Sequence, residues 1–374
     1  MMSTRERIFA SDNALNAAFK TLPTELRFHN TIKSYFDDLN AKKHYELIEE
    51  RANNVQKAIT TLWEEAAKNA DFLEDFRKFE PLLKELGLRD HFIHSFNVFL
   101  LGYFIINKFR IDRKSILGKH PLEGNDFTTN LIWMLTATFH DAAYAVGKTD
   151  EWLNDFFTKF LGVNPHISLN ISEVLTPVHA DILRLLSQYH RSRRLNSPED
   201  PFKFKFDLMD WPFYNKLSEE LSNKNHGVLS ALMLCHRMAI KEGFLGKPIQ
   251  TDNVPVSLPD RNQWDFVDHL QASHAISLHT INSIQVKFRE YPFAFVLILC
   301  DEIQDWGRGN QNDFISLNQI EERVTNVHDR TVHEVRFRIE ASPGRMNSLK
   351  KTLRERLDPG NTIKIFINDE DIFA

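Results

Sequence analysis

Cysteine is scarce in this chain, and its scarcity excludes two kinds of site. The only cysteines are Cys235 and Cys300, and each lies inside an apolar run. Neither a disulfide framework nor a zinc knuckle can be built from two such residues. Both are expected to be buried free thiols.

Long apolar runs and a signal-like N-terminus are also missing. The longest unbroken apolar run, from Phe293 to Cys300, is far shorter than the roughly 18 residues that a membrane-spanning helix needs. The N-terminal segment MMSTRERIFASDNALNAAFK contains no apolar core of signal-peptide length. The chain is therefore predicted to be cytoplasmic and to have no membrane partner.

The sequence has no strong excess of one charge and few residues that favour disorder. The formal net charge is −5, from 46 basic and 51 acidic residues, which gives no electrostatic case for a nucleic-acid coat. Only 13 Gly and 14 Pro occur, while 42% of the residues are hydrophobic and 30 are Phe. This composition predicts an ordered globular chain with thick helix–helix cores, and nucleic acid is not an expected partner.

Helical periodicity, predicted from residue 11 to about 330, indicates a mainly α chain with three regions. Residues 1–87 form an N-terminal helical region, with helices predicted over 41–70 and 71–86. In the central region, 88–310, more apolar runs predict buried helices at 88–109, 128–145, 177–195, 226–242 and 288–306. Residues 311–374 are predicted to form a linker helix and then a small α/β appendage, whose segments HEVRFRIEA, RMNSLKKTLRERL and NTIKIFIN have strand, helix and strand patterns. The two terminal regions are interpreted as setting partner choice or oligomeric state, including a homo-oligomer.

Histidine is concentrated in the central region, where twelve of the sixteen lie between residues 91 and 279. His140 ends the apolar run LIWMLTATFH and is followed at once by Asp141, while Asp301 follows the apolar run FAFVLILC. An ionised Asp is costly to bury unless a cation lies nearby, and imidazole and carboxylate are usual ligands of divalent metals. A second His-Asp pair, His328-Asp329, lies in the polar segment NVHDRT and is interpreted as surface.

Four segments of the central region resemble the motifs of the HD superfamily of metal-dependent phosphohydrolases. They are RDHFIHSFNVFLLGYF, TATFHDAAYAVGK, NHGVLSALML and FAFVLILCDEIQDWGR, and together they extend over roughly residues 88–310. The likeness is greatest to a bacterial HD group whose last motif reads Asp-Glu-x-Gln-x-Trp-Gly-Arg, here Asp301 to Arg308. Members of that group are often linked to antiphage systems. The resemblance implies an HD-type helical bundle.

The resemblance also implies a set of metal ligands, holding one or two divalent ions such as Mn, Fe, Zn, Ni, Co or Mg. The first ion would be held by His94, His140, Asp141 and Asp301. Asp141 would bridge to a second ion, completed by His226 and by one or both of His274 and His279. The last two lie five residues apart, about 140° around a helix, so they cannot both face one ion from a straight helix.

Three further residues are candidates for contact with substrate. His91, three residues before His94, is its rival as a metal ligand, or else a general acid or a core histidine. Lys148 and Arg308 lie where each could reach an anionic group. The basic run HRSRR at 190–194 is interpreted as a solvated cluster at a loop edge rather than a phosphate site.

The function implied is hydrolysis of a phosphate ester in a nucleotide or a nucleotide-like signalling compound, through a metal-activated water. The partner is then a small phosphorylated molecule. Two alternatives stay open: a di-iron oxygenase that uses the same cage, and a non-catalytic helical regulator that keeps the metal site as a structural or sensing element.

Overall fold

The computed structural model describes most of the chain. The described residues are 4–41, 48–66, 90–108, 126–164, 166–168, 177–195, 208–241, 261–304, 314–327, 330–361 and 363–374. Within them the protein is mainly helical, with a small sheet near the C-terminus, which confirms the predicted fold class in its coarse form. None of the helices in the described part of the chain combines the length and apolar character that a membrane crossing demands.

The helices and strands are numbered in chain order. The helices are α1 Thr4–Phe19, α2 His29–Ala41, α3 Ile48–Ala66, α4 Asp90–Lys108, α5 Asp126–Phe139, α6 Tyr144–Leu161, α7 Pro177–Leu195, α8 Trp211–Ser222, α9 His226–Lys241, α10 Arg261–His279, α11 Pro292–Ile303 and α12 Pro343–Arg356. The strands are β1 Val286–Lys287, β2 Ile315–Val327, β3 Arg330–Ala341, β4 Leu357–Asp358, β5 Ile363–Ile367 and β6 Glu370–Asp371. The helix predicted over 71–86 lies outside the described residues.

The helix predicted over 128–145 is interrupted at the His-Asp pair. Helix α5 ends at Phe139, residues 140–143 form a turn, and α6 begins at Tyr144. The turn is held by a bond from the amide of Tyr144 to the carbonyl of Asp141, and by a bond from the amide of Ala143 to the hydroxyl of Ser230 on α9. A long-range contact therefore ends a helix that local periodicity would have continued.

Helix α10 lies at the centre of the helical body, where it contacts α5, α7, α9 and α11. Every residue from Leu270 to His279 is buried. This helix is not among the apolar helices predicted from the sequence, because Gln271, Ser273, His274 and Ser277 give it a polar composition. Helices α4 and α11 contact each other and both contact α5, so α4, α5, α10 and α11 form one packed group.

The C-terminal strand–helix–strand prediction is confirmed. Strands β3 and β5 are parallel neighbours joined through α12, and β6 pairs antiparallel with β5. The predicted linker helix after residue 310 is wrong, because residues 315–327 form β2, which pairs antiparallel with β3 from Ile315↔Ala341 to Val327↔Arg330. Pairing with β3 and packing against α1 outweigh the local helical pattern of this segment.

Several contacts between described residues attach the C-terminal unit to the helical body, among them the packing of α12 on α11. Helix α1 packs against β2, where the amide of Leu317 donates to the hydroxyl of Ser11 at 3.0 Å. On the other side, β4 pairs with β1, and the amide of Phe288 donates to the carbonyl of Asp358 at 2.9 Å. The β1–β4 pairing lies a few residues after the end of α10.

We expect Gly102→Ala to destabilise the fold. A Cβ at this position of α4 would lie 1.9 Å from the ring of Trp133, which is fully buried and donates its indole N–H to the carbonyl of Phe99. Overpacking of this kind costs about 1–3 kcal/mol in free energy of unfolding, measurable by urea titration. Gly344→Ala on α12 is the control, because no atom lies within 4 Å of its added Cβ. Equal stability of the two variants would contradict the described packing of α4 on α5.

Candidate metal centre

The first group of side chains comes from two helices, α4 and α11, and from the turn after α5. Nε2 of His94, on α4, lies 3.1 Å from Nε2 of His140 and 3.1 Å from Oδ1 of Asp301, on α11. Nε2 of His140 lies 3.8 Å from the same Asp301 oxygen. All three ligand atoms lie within 4.8 Å of one another, so this group could hold a metal ion.

A second group shares His140 with the first. It consists of His140, Asp141 and His279, whose ligand atoms also lie within 4.8 Å of one another. Oδ2 of Asp141 lies 3.4 Å from Nε2 of His94 and 3.6 Å from Nε2 of His140. Its other oxygen, Oδ1, lies 3.2 Å from Nε2 of His226 and 3.9 Å from Nε2 of His279. The Asp141 carboxylate therefore turns Oδ2 toward His94 and His140, and Oδ1 toward His226 and His279.

The two groups are closed on one side and open on the other. His94, His140, Asp141 and His279 are buried. The side chains of Asp301 and His226 are 30% and 32% exposed. A ligand from solvent would therefore approach past Asp301 and His226.

Backbone carbonyls orient two of the imidazoles. Nδ1 of His140 donates to the carbonyl of Ala137 at 2.8 Å, and Nδ1 of His279 donates to the carbonyl of Ile276. In the neutral ring this leaves the lone pair on Nε2, the atom that faces Asp141 in both cases. Nε2 of His279 is buried and has no hydrogen-bond partner among the described residues. An unpaired buried nitrogen is costly, and a metal ion would satisfy it, so the donor set fits a divalent cation.

The start of α9 places His226 against the end of α10. Oδ1 of Asn225 accepts bonds from the amides of Gly227 and Val228, as a helix N-cap does, and also from the hydroxyl of Thr280. A Cβ at Gly227 would lie 2.4 Å from Oγ1 of Thr280 and 2.9 Å from Cε1 of His279. Glycine is therefore required at this position by close packing, and the His-Gly pair seen in the sequence has a structural explanation.

The electrostatics of these side chains favour ionised carboxylates. Burial disfavours the charged form of His140, but Asp141 and Asp301 outweigh it and raise the pKa of His140 to about 9. Burial would raise the pKa values of both carboxyls, but the surrounding histidines hold them well below their usual range. Burial lowers the pKa of His279. At neutral pH the site therefore holds two carboxylates, a protonated His140 and a neutral His279.

His274 is not part of this arrangement, which corrects its assignment as a candidate ligand. Its Nε2 lies 3.0 Å from Nδ1 of His190, in a separate buried aromatic cluster where the His190 ring stacks between Phe213 and Tyr291. The reason is the helical rotation between residues five apart, which turns His274 away from the side of α10 that carries His279.

Of the three residues predicted to contact substrate, Lys148 is the one whose side chain the structure describes. Nζ of Lys148 lies 2.7 Å from Oε2 of Glu151 and 5.7 Å from the ring centroid of Tyr144, whose ring in turn contacts that of His226. Lys148 is thus near the open side. His91 lies in the first turn of α4, but its side chain is outside the described set, as is the whole of Arg308.

Two supporting residues were not singled out from the sequence. Nε2 of Gln304, the C-cap of α11, lies 3.4 Å from Nε2 of His94. Asn225 caps α9, as described above. The position of Asn225 just before a helical run is a recognisable N-cap signal, whereas no local pattern indicates that Gln304 is next to His94.

Comparison with protein-family models, with curated proteins and with solved structures finds no match for this chain. The interpretation of the site therefore depends on the geometry described above. That geometry establishes buried His and Asp groups that could bind a metal ion, without identifying the ion.

We expect Asp141→Ala to abolish metal binding while leaving helical content nearly unchanged. The variant removes the carboxylate that contacts both groups, so affinity should fall by more than the roughly 10- to 100-fold that loss of a supporting partner costs. Bound metal is measured by elemental analysis, and helical content by circular dichroism. Asp155→Ala, at an exposed carboxylate on α6 that pairs with Lys159, is the control and should retain full metal content. Full occupancy in Asp141→Ala would mean that the site is assigned wrongly.

Metal affinity should also rise with pH up to about 9. Below that value His140 carries a proton that must leave before Nε2 can bind an ion, and above it no such proton remains. One proton gives a slope of about tenfold in affinity per pH unit. Calorimetric titration with Mn²⁺ in two buffers of different ionisation enthalpy counts the released protons. An affinity that does not change between about pH 6.5 and 8.5 would contradict this account.

Proposed function

We propose that this chain is a metal-dependent phosphohydrolase of the HD type, acting on a phosphate ester of a nucleotide or a nucleotide-like compound. The observation that carries the proposal is the position of Asp141, whose two carboxylate oxygens face different imidazoles in a pocket of buried histidines. The order of the contributing residues along the chain, His94, His140-Asp141, His226 and Asp301, is the order of the motifs that resemble the HD superfamily.

The chain's own residues would hold and orient the reacting groups. His94, His140, Asp141 and Asp301 would hold one ion, with His226 and His279 extending the donor set beyond the other side of Asp141. A divalent ion bound there would supply a Lewis acid for a phosphoryl oxygen and would lower the pKa of bound water toward neutrality. The carbonyls of Ala137 and Ile276 would keep the Nε2 atoms of two histidines directed inward, so that little reorganisation is needed when a substrate binds.

The open side would receive the phosphorylated substrate. Tyr144 and Lys148 follow the His-Asp turn directly, and the Tyr144 ring packs edge-on against that of His226. The Lys148 side chain is partly exposed, and Glu151 is its described acidic partner. A phosphate oxygen could replace Glu151 as that partner, because both are anionic acceptors within reach of the same flexible ammonium group.

Lys148→Gln is expected to lower kcat/KM for the phosphorylated substrate by about 10- to 100-fold, the loss that corresponds to a hydrogen bond between charged groups. Lys159→Gln is the matched control, because Lys159 lies on the same helix and also pairs with a carboxylate, that of Asp155. Steady-state kinetics should show the control within about twofold of the wild-type chain. Equal losses in the two variants would exclude a substrate contact by Lys148.

The function itself is tested on protein that has been stripped of metal and reloaded with one ion at a time. Mn²⁺, Fe²⁺, Zn²⁺, Ni²⁺, Co²⁺ and Mg²⁺ are each assayed against nucleoside mono-, di- and triphosphates and cyclic nucleotides. The expected result is metal-dependent hydrolysis, followed as phosphate release or as ring opening, that Asp141→Ala lacks. Oxygen consumption by an iron-loaded protein without hydrolysis would identify an oxygenase instead. Tight metal binding without either activity would favour a regulator.

A further inference from the structure

A buried arginine from the C-terminal unit bonds to the end of α10. Arg356, the last residue of α12, is 5% exposed. One terminal nitrogen of its guanidinium donates to the carbonyls of Leu278 and His279, each at 3.0 Å, and the other donates to the side-chain oxygen of Asn282. The arginine therefore contacts the backbone of His279, a residue of the candidate metal centre.

The carbonyls that Arg356 binds are among those that a helix cannot satisfy by itself. The last four carbonyls of an α-helix have no partner within the helix, and the C-terminus carries a partial negative charge. A guanidinium supplies both the missing donors and a positive charge, and its planar shape allows it to bond two carbonyls at once. The contact thus stabilises the final turn of α10, where His279 is the terminal helical residue.

The position of Arg356 is set by strand pairing outside the helical body. The next residue, Leu357, pairs with Val286 in the parallel β1–β4 contact, and Phe288 bonds to Asp358. Leu349 and Leu353 of α12 are fully buried, so they also hold this helix in place. Because β1 follows α10 by only a few residues, the β1–β4 pairing fixes the position of Arg356, on α12, relative to the end of α10.

We infer that Arg356 is a positioning residue for the metal centre, acting through the backbone of His279. This inference rests on the proposed metal function. Among the described residues Arg356 makes no hydrogen bond to a donor atom, although its charge also acts on Asp301; it holds the helix end from which the imidazole of His279 reaches toward Asp141. Loss of Arg356 would release the last turn of α10 and weaken the metal contact of His279, while the group formed by His94 on α4, His140 in the turn after α5 and Asp301 on α11 would keep its geometry.

The test measures Mn²⁺ affinity of the full chain by calorimetric titration. We expect Arg356→Gln to weaken binding by roughly 10- to 100-fold, as loss of a residue that orients a ligand does. Arg354→Gln is the matched control, since Arg354 lies on the same helix and its described bonds run to Ile372 and Glu370 within the C-terminal unit. The control should stay within about twofold of the wild-type affinity.

A double-mutant cycle separates positioning from general stabilisation. If Arg356 acts through His279, Arg356→Gln will cause little further loss in a His279→Ala background, but its full loss in a Lys159→Gln background. An equal loss in both backgrounds, or none in the wild-type background, overturns the inference. If Arg356→Gln does not fold, Arg356→Lys, which keeps the charge but not the planar fork, serves in the same cycle with the same criteria. Absence of Mn²⁺ binding by the wild-type chain would overturn the metal function itself.

Discussion

A buried negative charge at Asp141 is the constraint on which the arrangement of the helix ends depends. An unpaired carboxylate in the interior costs several kcal/mol, so it persists only where positive or hydrogen-bonding groups surround it. Four imidazoles do so here, from His94, His140, His226 and His279, and they arrive from three helices and a turn. The helical body brings these helix ends and the turn together around one carboxylate.

The turn at residues 140–143 is the local feature that makes this convergence possible. If α5 continued into α6 as one straight helix, His140 and Asp141 would point about 100° apart along a rigid cylinder. The turn instead lets both side chains face the same histidines, and the bond from Ala143 to Ser230 holds it against α9. Gly227 then allows the start of α9 to approach the end of α10 closely enough for His226 and His279 to share one carboxylate oxygen.

The sequence predicts the candidate ligands of the site better than it predicts the residues that hold those ligands in place. His94, His140, Asp141 and Asp301 could be grouped because each is a polar residue in or beside an apolar run, in a segment that resembles an HD motif, and the structure places them together. Choosing between His274 and His279 requires knowing which side of α10 faces the site. The sequence shows that the two residues point in different directions, but not which of the two directions is toward the site. Gln304 and Arg356 act across long sequence separations, and no local periodicity reports such contacts. The same limit explains β2, whose helix-like pattern is overridden by its pairing with β3 and its packing on α1.

The packing of α1 on β2 has a consequence for the order of events during synthesis. The hydroxyl of Ser11 and the amide of Leu317 are 306 residues apart, so the ribosome needs roughly 15–60 s after making the first of them to reach the second. During that interval α1 lacks the strand against which it packs in the finished fold, although Phe19 also contacts His29 and Phe36 of α2, which are made soon after it. The N-terminal helices therefore await their last packing partner until β2 has been made.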